Sequence, residues 1–278
     1  MAIRFSGRSS DFISPSFGHG CLYKCSYCYM RRHKPTGLSI AKNTGTILTA
    51  INNHALKEQL LQTVSKPNQT DSQFITYDIS CNEDFALHHK YHDWQRIFQF
   101  FKDHQTAKAT FATKFIPAKF LDFNPERKVR IRFSLMPQVY SDILEPNTTK
   151  IVDRIKAINT FYQAGYDVHI NFSPVIWHLD GRELYRELFE LLDNLVDDNI
   201  KKQVKAEVIF LTHNVKMHNS NDEKSEELLW SPKVQETKVS QYGGNNLRYK
   251  YKVKKTYIDK FKELHDSIID WNEIRYIF

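Results

Sequence analysis

VRIRFSLMPQVYSDILEPNTTKIVDRIKAINTFYQAGYDVHINFSPV, residues 129–175, holds a strand, a helix and a second strand in that order. VRIRFSL (Val129–Leu135) and HINFSPV (His169–Val175) are short runs rich in apolar and β-branched residues. Between them, TKIVDRIKAINTFYQAG repeats its apolar residues at helical spacing from Thr149 and stops at Gly165. Two such strands joined by a helix make a parallel pair with a right-handed crossover. The alternation continues outward. ITYDIS (Ile75–Ser80) and ATFAT (Ala109–Thr113) read as strands before this unit, and AEVIFL (Ala206–Leu211) as one after it. Amphipathic patterns at Thr46–Gln62, Tyr91–Asp103 and Arg182–Leu195 supply the intervening helices. The expected fold is α/β, a partial parallel (β/α) barrel. In such folds the active site lies at the carboxyl ends of the strands. Cys81, Asp84, Lys114, Ser134 and Ser173 all fall at or just past strand ends.

The pattern weakens after Thr212. Residues 213–233 are polar and read as a long loop. KVSQYGGNNLRYKYKVKK then reads as a basic β-hairpin around Gly243–Gly244 and Asn245–Asn246. A last helix over Tyr257–Ile269 leads to a short apolar end, Ile274–Phe278. We therefore expect a barrel body over residues 1–216 and an appended extension over residues 217–278. With 41% hydrophobic and 26% charged residues, the 278-residue chain can bury a core. Its formal charge of +7 permits an anionic partner such as nucleic acid. MAIRFSGRSS at the start lacks the apolar core of a signal peptide, and no stretch is apolar enough to span a bilayer. A cytoplasmic monomer with no membrane partner is the expectation.

The four cysteines are Cys21, Cys25, Cys28 and Cys81. GCLYKCSYCYM spaces three of them as C-x3-C-x2-C. Thiolates are soft ligands suited to iron in a sulfide cluster. Three thiolates on a 4Fe–4S cubane leave one iron open, as a catalytic metal site requires. In radical enzymes of this kind, S-adenosylmethionine chelates the open iron. An external electron donor supplies the electron that cleaves it, and a 5′-deoxyadenosyl radical starts the chemistry. The other reading is a zinc site completed by His19 or His33, for which the cysteine spacing fits less well. Tyr27, an aromatic between the second and third cysteines, also favours the radical class.

The flanking sequence resembles the spore photoproduct lyase family. GC-x3-C-x-YCY places Tyr27 and Tyr29 on either side of Cys28. YDISCNED (Tyr77–Asp84), FATKF (Phe111–Phe115), RIRFS (Arg130–Ser134) and EPNTTKIVDRI (Glu145–Ile155) follow in the family's order. So do AGYDVHINFSP (Ala164–Pro174), YRELFELLD (Tyr185–Asp193), QYGG (Gln241–Gly244) and the terminal IRYIF. The resemblance implies a partial barrel of the radical S-adenosylmethionine type. It also implies cleavage of a methylene-bridged thymine dimer in DNA.

It implies residue roles as well. Cys81 would donate the hydrogen atom that quenches the substrate radical, with Tyr27 and Tyr29 relaying hydrogen back so that the cofactor is regenerated. Tyr27, Asp84, Lys114, Ser134 and Ser173 would contact the cofactor. Tyr242, Arg248, Tyr249 and Lys250 of the hairpin would contact DNA, aromatics on bases and cations on phosphates. His88 and His89, in HHKYHDW, read as the start of a helix. The chain departs from the family in three places. The cysteine motif begins almost at once, without the family's preceding segment. Glu83 stands where the family has a small hydroxyl residue beside the cofactor. Gln241 replaces a basic hairpin residue. These differences keep two alternatives in view, a radical enzyme acting on another nucleotide, RNA or peptide, and a non-catalytic metal-stabilised nucleic-acid-binding protein.

Overall fold

The computed structural model describes residues 2–9, 11–61, 68–239 and 244–278. Among these, eight strands form one sheet: β1 (Arg4–Phe5), β2 (Phe12–Ile13), β3 (Ile75–Asp78), β4 (Ala107–Thr113), β5 (Val129–Leu135), β6 (Asp167–Val175), β7 (Lys205–Phe210) and β8 (Glu273–Ile277). They neighbour one another in that order. The β1–β2 pairing is antiparallel and every later one parallel. The sheet curls into a partial barrel, as expected.

Alternation along the central strands explains the curl's two faces. In β5, Val129, Ile131, Phe133 and Leu135 turn outward into the helical layer. Arg130, Arg132 and Ser134 turn to the concave side, and all seven residues are buried. β6 repeats the alternation, with Asp167, His169 and Asn171 in register with Arg130, Arg132 and Ser134. The convex face is covered by α1 (Thr44–Leu60), α2 (Trp94–Asp103), α3 (Ile151–Gln163), α4 (Gly181–Leu195) and α5 (Tyr251–Ile268). Asn43 and Asp93 cap the first two, accepting from the backbone N–H groups of Thr46 and Arg96. The helix before β6 stops where its sequence requires. Gly165 adopts φ +97°, and the N–H of Tyr166 donates to the Phe161 carbonyl.

The chain does not divide after residue 216. Phe261 of α5 packs against Tyr185 and Phe189 of α4 and Trp177, and β8 hydrogen-bonds alongside β7, so the C-terminus completes the body. What stands aside is a three-stranded antiparallel sheet of Thr212–Asn214, Gln235–Val239 and Asn245–Tyr249. Two short helices, Val215–His218 and Glu223–Leu229, occupy what the sequence suggests is a loop. The hairpin forms, but its second strand ends at Tyr249 and Tyr251–Lys255 opens α5 instead. No helix among the described residues is long and apolar enough to cross a membrane.

Candidate active site

The three-cysteine loop lies across the carboxyl ends of the strands and is tied down on three sides. From the loop after β3, the Asn82 carbonyl accepts from Gly20 N–H (3.0 Å) and His88 Nε2 accepts from Leu22 N–H (3.2 Å). At the end of the short helix Gln138–Leu144, the Leu144 carbonyl accepts from Ser26 N–H at 2.9 Å. From the segment after β7, Asn221 Nδ2 donates to the Ser26 carbonyl (3.0 Å), and the Ser225 and Ser26 hydroxyls meet at 3.0 Å. Gly20 has φ +113°, and a Cβ there would meet the Gly37 carbonyl at 2.6 Å, so glycine is required before Cys21.

Cys21, Cys25 and Cys28 are all free thiols, Cys25 fully buried. Burial, with Asp84 and Cys28 nearby, pushes the Cys21 thiol up to about 12. Burial and the Glu145 carboxylate also push Cys25 well up, against the pull of Lys114. A thiophilic cation must displace these protons to bind. The donor set fits a cluster better than one ion. Ligands held ~2.0–2.3 Å from one zinc lie within about 4 Å of each other. Among the described residues, the group of three or more ligating side chains whose donors all lie within 4.8 Å is His213, His218 and Glu226; the three cysteines are not such a group. Three soft donors spread more widely suit three irons of a cubane. In the His213 group, each imidazole takes its own Glu226 oxygen and Asn221 Nδ2 donates to the same carboxylate (2.6 Å), which braces the segment against Ser26.

Tyr29 and Cys81 touch. The Tyr29 hydroxyl donates to the Cys81 carbonyl. Burial and Asp78 raise the Cys81 thiol, so it keeps its proton at neutral pH. The Tyr27 hydroxyl donates to Glu145, a carboxylate not anticipated from sequence. Glu145 is buried among Ser141 Oγ (3.1 Å), Arg154 Nη1 (3.0 Å) and Lys114 Nζ (3.8 Å). Lys114 also stands 5.8 Å from the centre of the Tyr27 ring. Tyr27, Cys28, Tyr29 and Ser173 line one cleft of about 720 Å³.

The remaining expected residues sit differently. Both oxygens of Asp84 are taken, by Thr113 Oγ1 (2.7 Å), Leu87 N–H (3.1 Å) and Lys114 N–H (2.9 Å), so it braces the end of β4. Ser134 is buried, and its carbonyl accepts from Arg154 Nη1 at 2.8 Å. Glu83 lies buried beneath Gly18, accepting from His88 Nδ1 (3.0 Å) and His92 Nε2 (2.8 Å). Burial opposes its charge, but these two donors hold its pKa below the usual carboxylate value. His88 therefore belongs to the support of the cysteine loop; it also precedes a single 3-10 turn, His89–Tyr91, and the longer helix begins at Trp94.

On the hairpin, Tyr249 is corrected. It is 1% exposed, and its hydroxyl accepts from Trp177 N–H, so it offers no face to a base. Lys250 Nζ donates to the Pro232 and Lys233 carbonyls. Arg248 lines the cleft and pairs with Glu236 at 3.1 Å. Tyr242 lies outside the described residues.

A mostly parallel partial barrel with a three-thiol loop across its strand ends is the architecture of the radical S-adenosylmethionine class. Within it, the chain belongs to the spore photoproduct lyase family, whose model matches residues 3–278. It is 28% identical over 203 residues to spore photoproduct lyase of Bacillus subtilis, covering 72% of this chain and 56% of that protein. A Geobacillus spore photoproduct lyase is 23% identical over 186 residues, 66% of this chain and 51% of its own. The matches thus span about half the length of these relatives. A solved spore photoproduct lyase complexed with dinucleoside spore photoproduct superposes with a TM-score of 0.84 at 18% identity, covering all of this chain and 79% of the other. The solved structure of native anSMEcpe with bound AdoMet gives 0.54 at 12% identity, over 95% of this chain and 63% of its own.

Proposed function

We propose that this protein is a radical S-adenosylmethionine lyase that opens the methylene-bridged thymine dimer of DNA. The observation that carries the reading is the contact between Tyr29 and Cys81 beside the cysteine loop, in a chain of this family. Cys21, Cys25 and Cys28 would hold a 4Fe–4S cluster, with Ser173 in the cleft and Lys114 beside the Tyr27 ring as polar residues for the cofactor. When bound, the cluster and S-adenosylmethionine supply one-electron reduction and hydrogen-atom abstraction.

The chain's own residues then manage one hydrogen atom. A thiol can donate only while protonated, and burial keeps the Cys81 thiol so. Cys81 gives its hydrogen atom to the carbon radical left on the opened lesion, forming a C–H bond and a thiyl radical. The adjacent Tyr29 O–H restores the S–H bond and becomes the tyrosyl radical. Tyr27 is next toward the cysteine loop. Its hydroxyl is bonded to Glu145, so passing a hydrogen atom from Tyr27 O–H to the tyrosyl radical requires that hydrogen bond to open. Arg154 and Lys114 pair with that carboxylate inside the protein.

The test is anaerobic reconstitution with iron and sulfide, reduction, and incubation with the dinucleotide lesion. Release of the repaired thymine dinucleotide is expected. Reductive formation of 5′-deoxyadenosine with the lesion left intact would assign the chain to another substrate. Failure to hold an iron–sulfur cluster would remove the radical chemistry altogether.

A further inference from the structure

The cleft that holds Tyr27, Cys28 and Tyr29 has a second wall, built of cations from distant parts of the chain. Arg8 comes from the N-terminal β1–β2 turn, Arg248 from the hairpin and Lys254 from the first turns of α5. Phe278 gathers two of them. The Arg8 guanidinium lies 3.5 Å from its ring centre and the Lys254 ammonium 5.9 Å from it. Like charges brought together inside a cleft repel one another unless an anion joins them. Among the described residues, no carboxylate pairs with Arg8 or Lys254, and Glu236 serves Arg248 alone. Burial, then Arg8 and Arg248, pull the Lys254 pKa below the usual lysine value. The wall therefore carries a net positive charge that the protein does not neutralise.

We propose that Arg8, Arg248 and Lys254 form a clamp for one backbone phosphodiester of the substrate strand, at the mouth of the catalytic cleft. The inference rests on the nucleic-acid reading above and deepens it. A guanidinium fork and an ammonium facing the same space can share the two free oxygens of a diester. Arg8, held flat by Phe278, is set for this without ordering a free side chain. The clamp replaces most of the expected hairpin interface. With Tyr249 buried and Lys250 bound to carbonyls, the hairpin contributes Arg248, with Lys238 of its first strand also lining the cleft, and the other two cations come from either end of the chain. The strand would then run between the N-terminal turn and α5, its phosphate on this wall and its base step facing Tyr29.

Fluorescence anisotropy on the reconstituted protein with a short single-stranded thymine-containing oligonucleotide tests this. Arg8→Gln and Lys254→Gln should each weaken binding about tenfold, the effect of losing one charged hydrogen bond. Each should flatten the salt dependence by a slope of about 0.7. Lys252→Gln, an exposed charge on the same helix outside the cleft, should change neither beyond the small effect of a distant charge. A neutral methylphosphonate at the thymine–thymine linkage should reproduce the loss with unaltered protein and add nothing in the variants. That arm does not depend on any variant folding. Normal oligonucleotide binding with wild-type affinity and slope in both variants, or indifference to the methylphosphonate, would overturn the clamp and leave the lyase reading intact. Absence of any nucleic-acid binding by the wild type would overturn both.

Discussion

In the proposed reaction, Cys81 and Tyr29 would carry the chemistry that separates a clean repair from mere bond scission. Cys81 sits just past β3, half-buried, its thiol raised by burial and by Asp78 so that it stays an S–H group. A neighbouring hydroxyl that can refill it lies in contact. Cys81→Ala removes the donor and little volume, so the loop after β3 should keep its place. The variant is expected to consume the lesion at a rate within roughly tenfold of wild type. Its products should be diverse, because the carbon radical must find hydrogen elsewhere. Separation of the products by chromatography decides the matter, and a wild-type product profile would remove Cys81 from the quenching role. The cysteines, Tyr27 and Tyr29 are legible as a site because their spacing is local. Glu145, Arg8 and Lys254 are not, because each gains its meaning from a partner far away in sequence. Glu145 faces Tyr27 only once β5 and the cysteine loop are folded, and no pattern along EPNTTKIVDRI marks it.

At the scale of elements, the cysteine loop is a graft held by its neighbours. His88 accepts the Leu22 N–H through Nε2 and donates to the buried Glu83 through Nδ1, linking the loop to the segment before α2. His88→Ala leaves a backbone donor and a buried carboxylate each short of a partner. The expected cost is about 2 kcal/mol in unfolding free energy, with less iron retained per chain after reconstitution. Denaturant unfolding and iron analysis read the two effects, and wild-type values in both would show that the loop does not depend on this link. The strands of the body are legible because each is a short buried run; VRIRFSL coincides with β5 from end to end. Residues 213–233 hide two helices because both are short and polar, set by the caps Asn214 and Asp222 with little apolar period. The hairpin's second strand overruns in the sequence reading because lysines from Lys250 to Lys255 look alike on a strand edge and on a helix surface. Tyr249 turning inward ends the strand, a choice made by packing against Trp177 and His178. The last strand lacks a local signal of its partner, so its place beside β7 emerges only in the folded sheet.

Across the whole molecule, the interior of the partial barrel is a charged network that ties strands distant in sequence. Glu207 on β7 accepts from Arg132 on β5 at 2.8 Å and from Arg275 on β8 at 2.6 Å, and Arg132 also reaches Asp78 on β3 at 2.7 Å. Burial works against the Glu207 charge, yet the two guanidiniums bring its pKa down to about 2. A carboxyl depressed from the ordinary 4.5 to about 2 stabilises the fold at neutral pH by on the order of 3 kcal/mol. That stability is present above the ordinary value and is lost as pH falls from 4.5 toward 2. His169, on the same concave face, is pushed by burial from 6.5 down to about 4, and burial does the same to His178. The folded state favours their neutral forms, so their contribution is intact above pH 6.5 and declines between 6.5 and about 4. Unfolding free energy measured by denaturant across pH should therefore be level above about 6.5 and then fall in two overlapping limbs, the upper from the histidines and the lower from the depressed carboxyls, Glu207 among them. Glu207→Gln should shrink the lower limb, leaving the part carried by the other depressed carboxyls, Glu83 and Asp167. It should also cost about 3–5 kcal/mol at neutral pH, because Arg132 and Arg275 lose their shared anion in a buried setting. A lower limb that survives unchanged in the glutamine variant would show that the barrel's interior charges do not govern its acid unfolding.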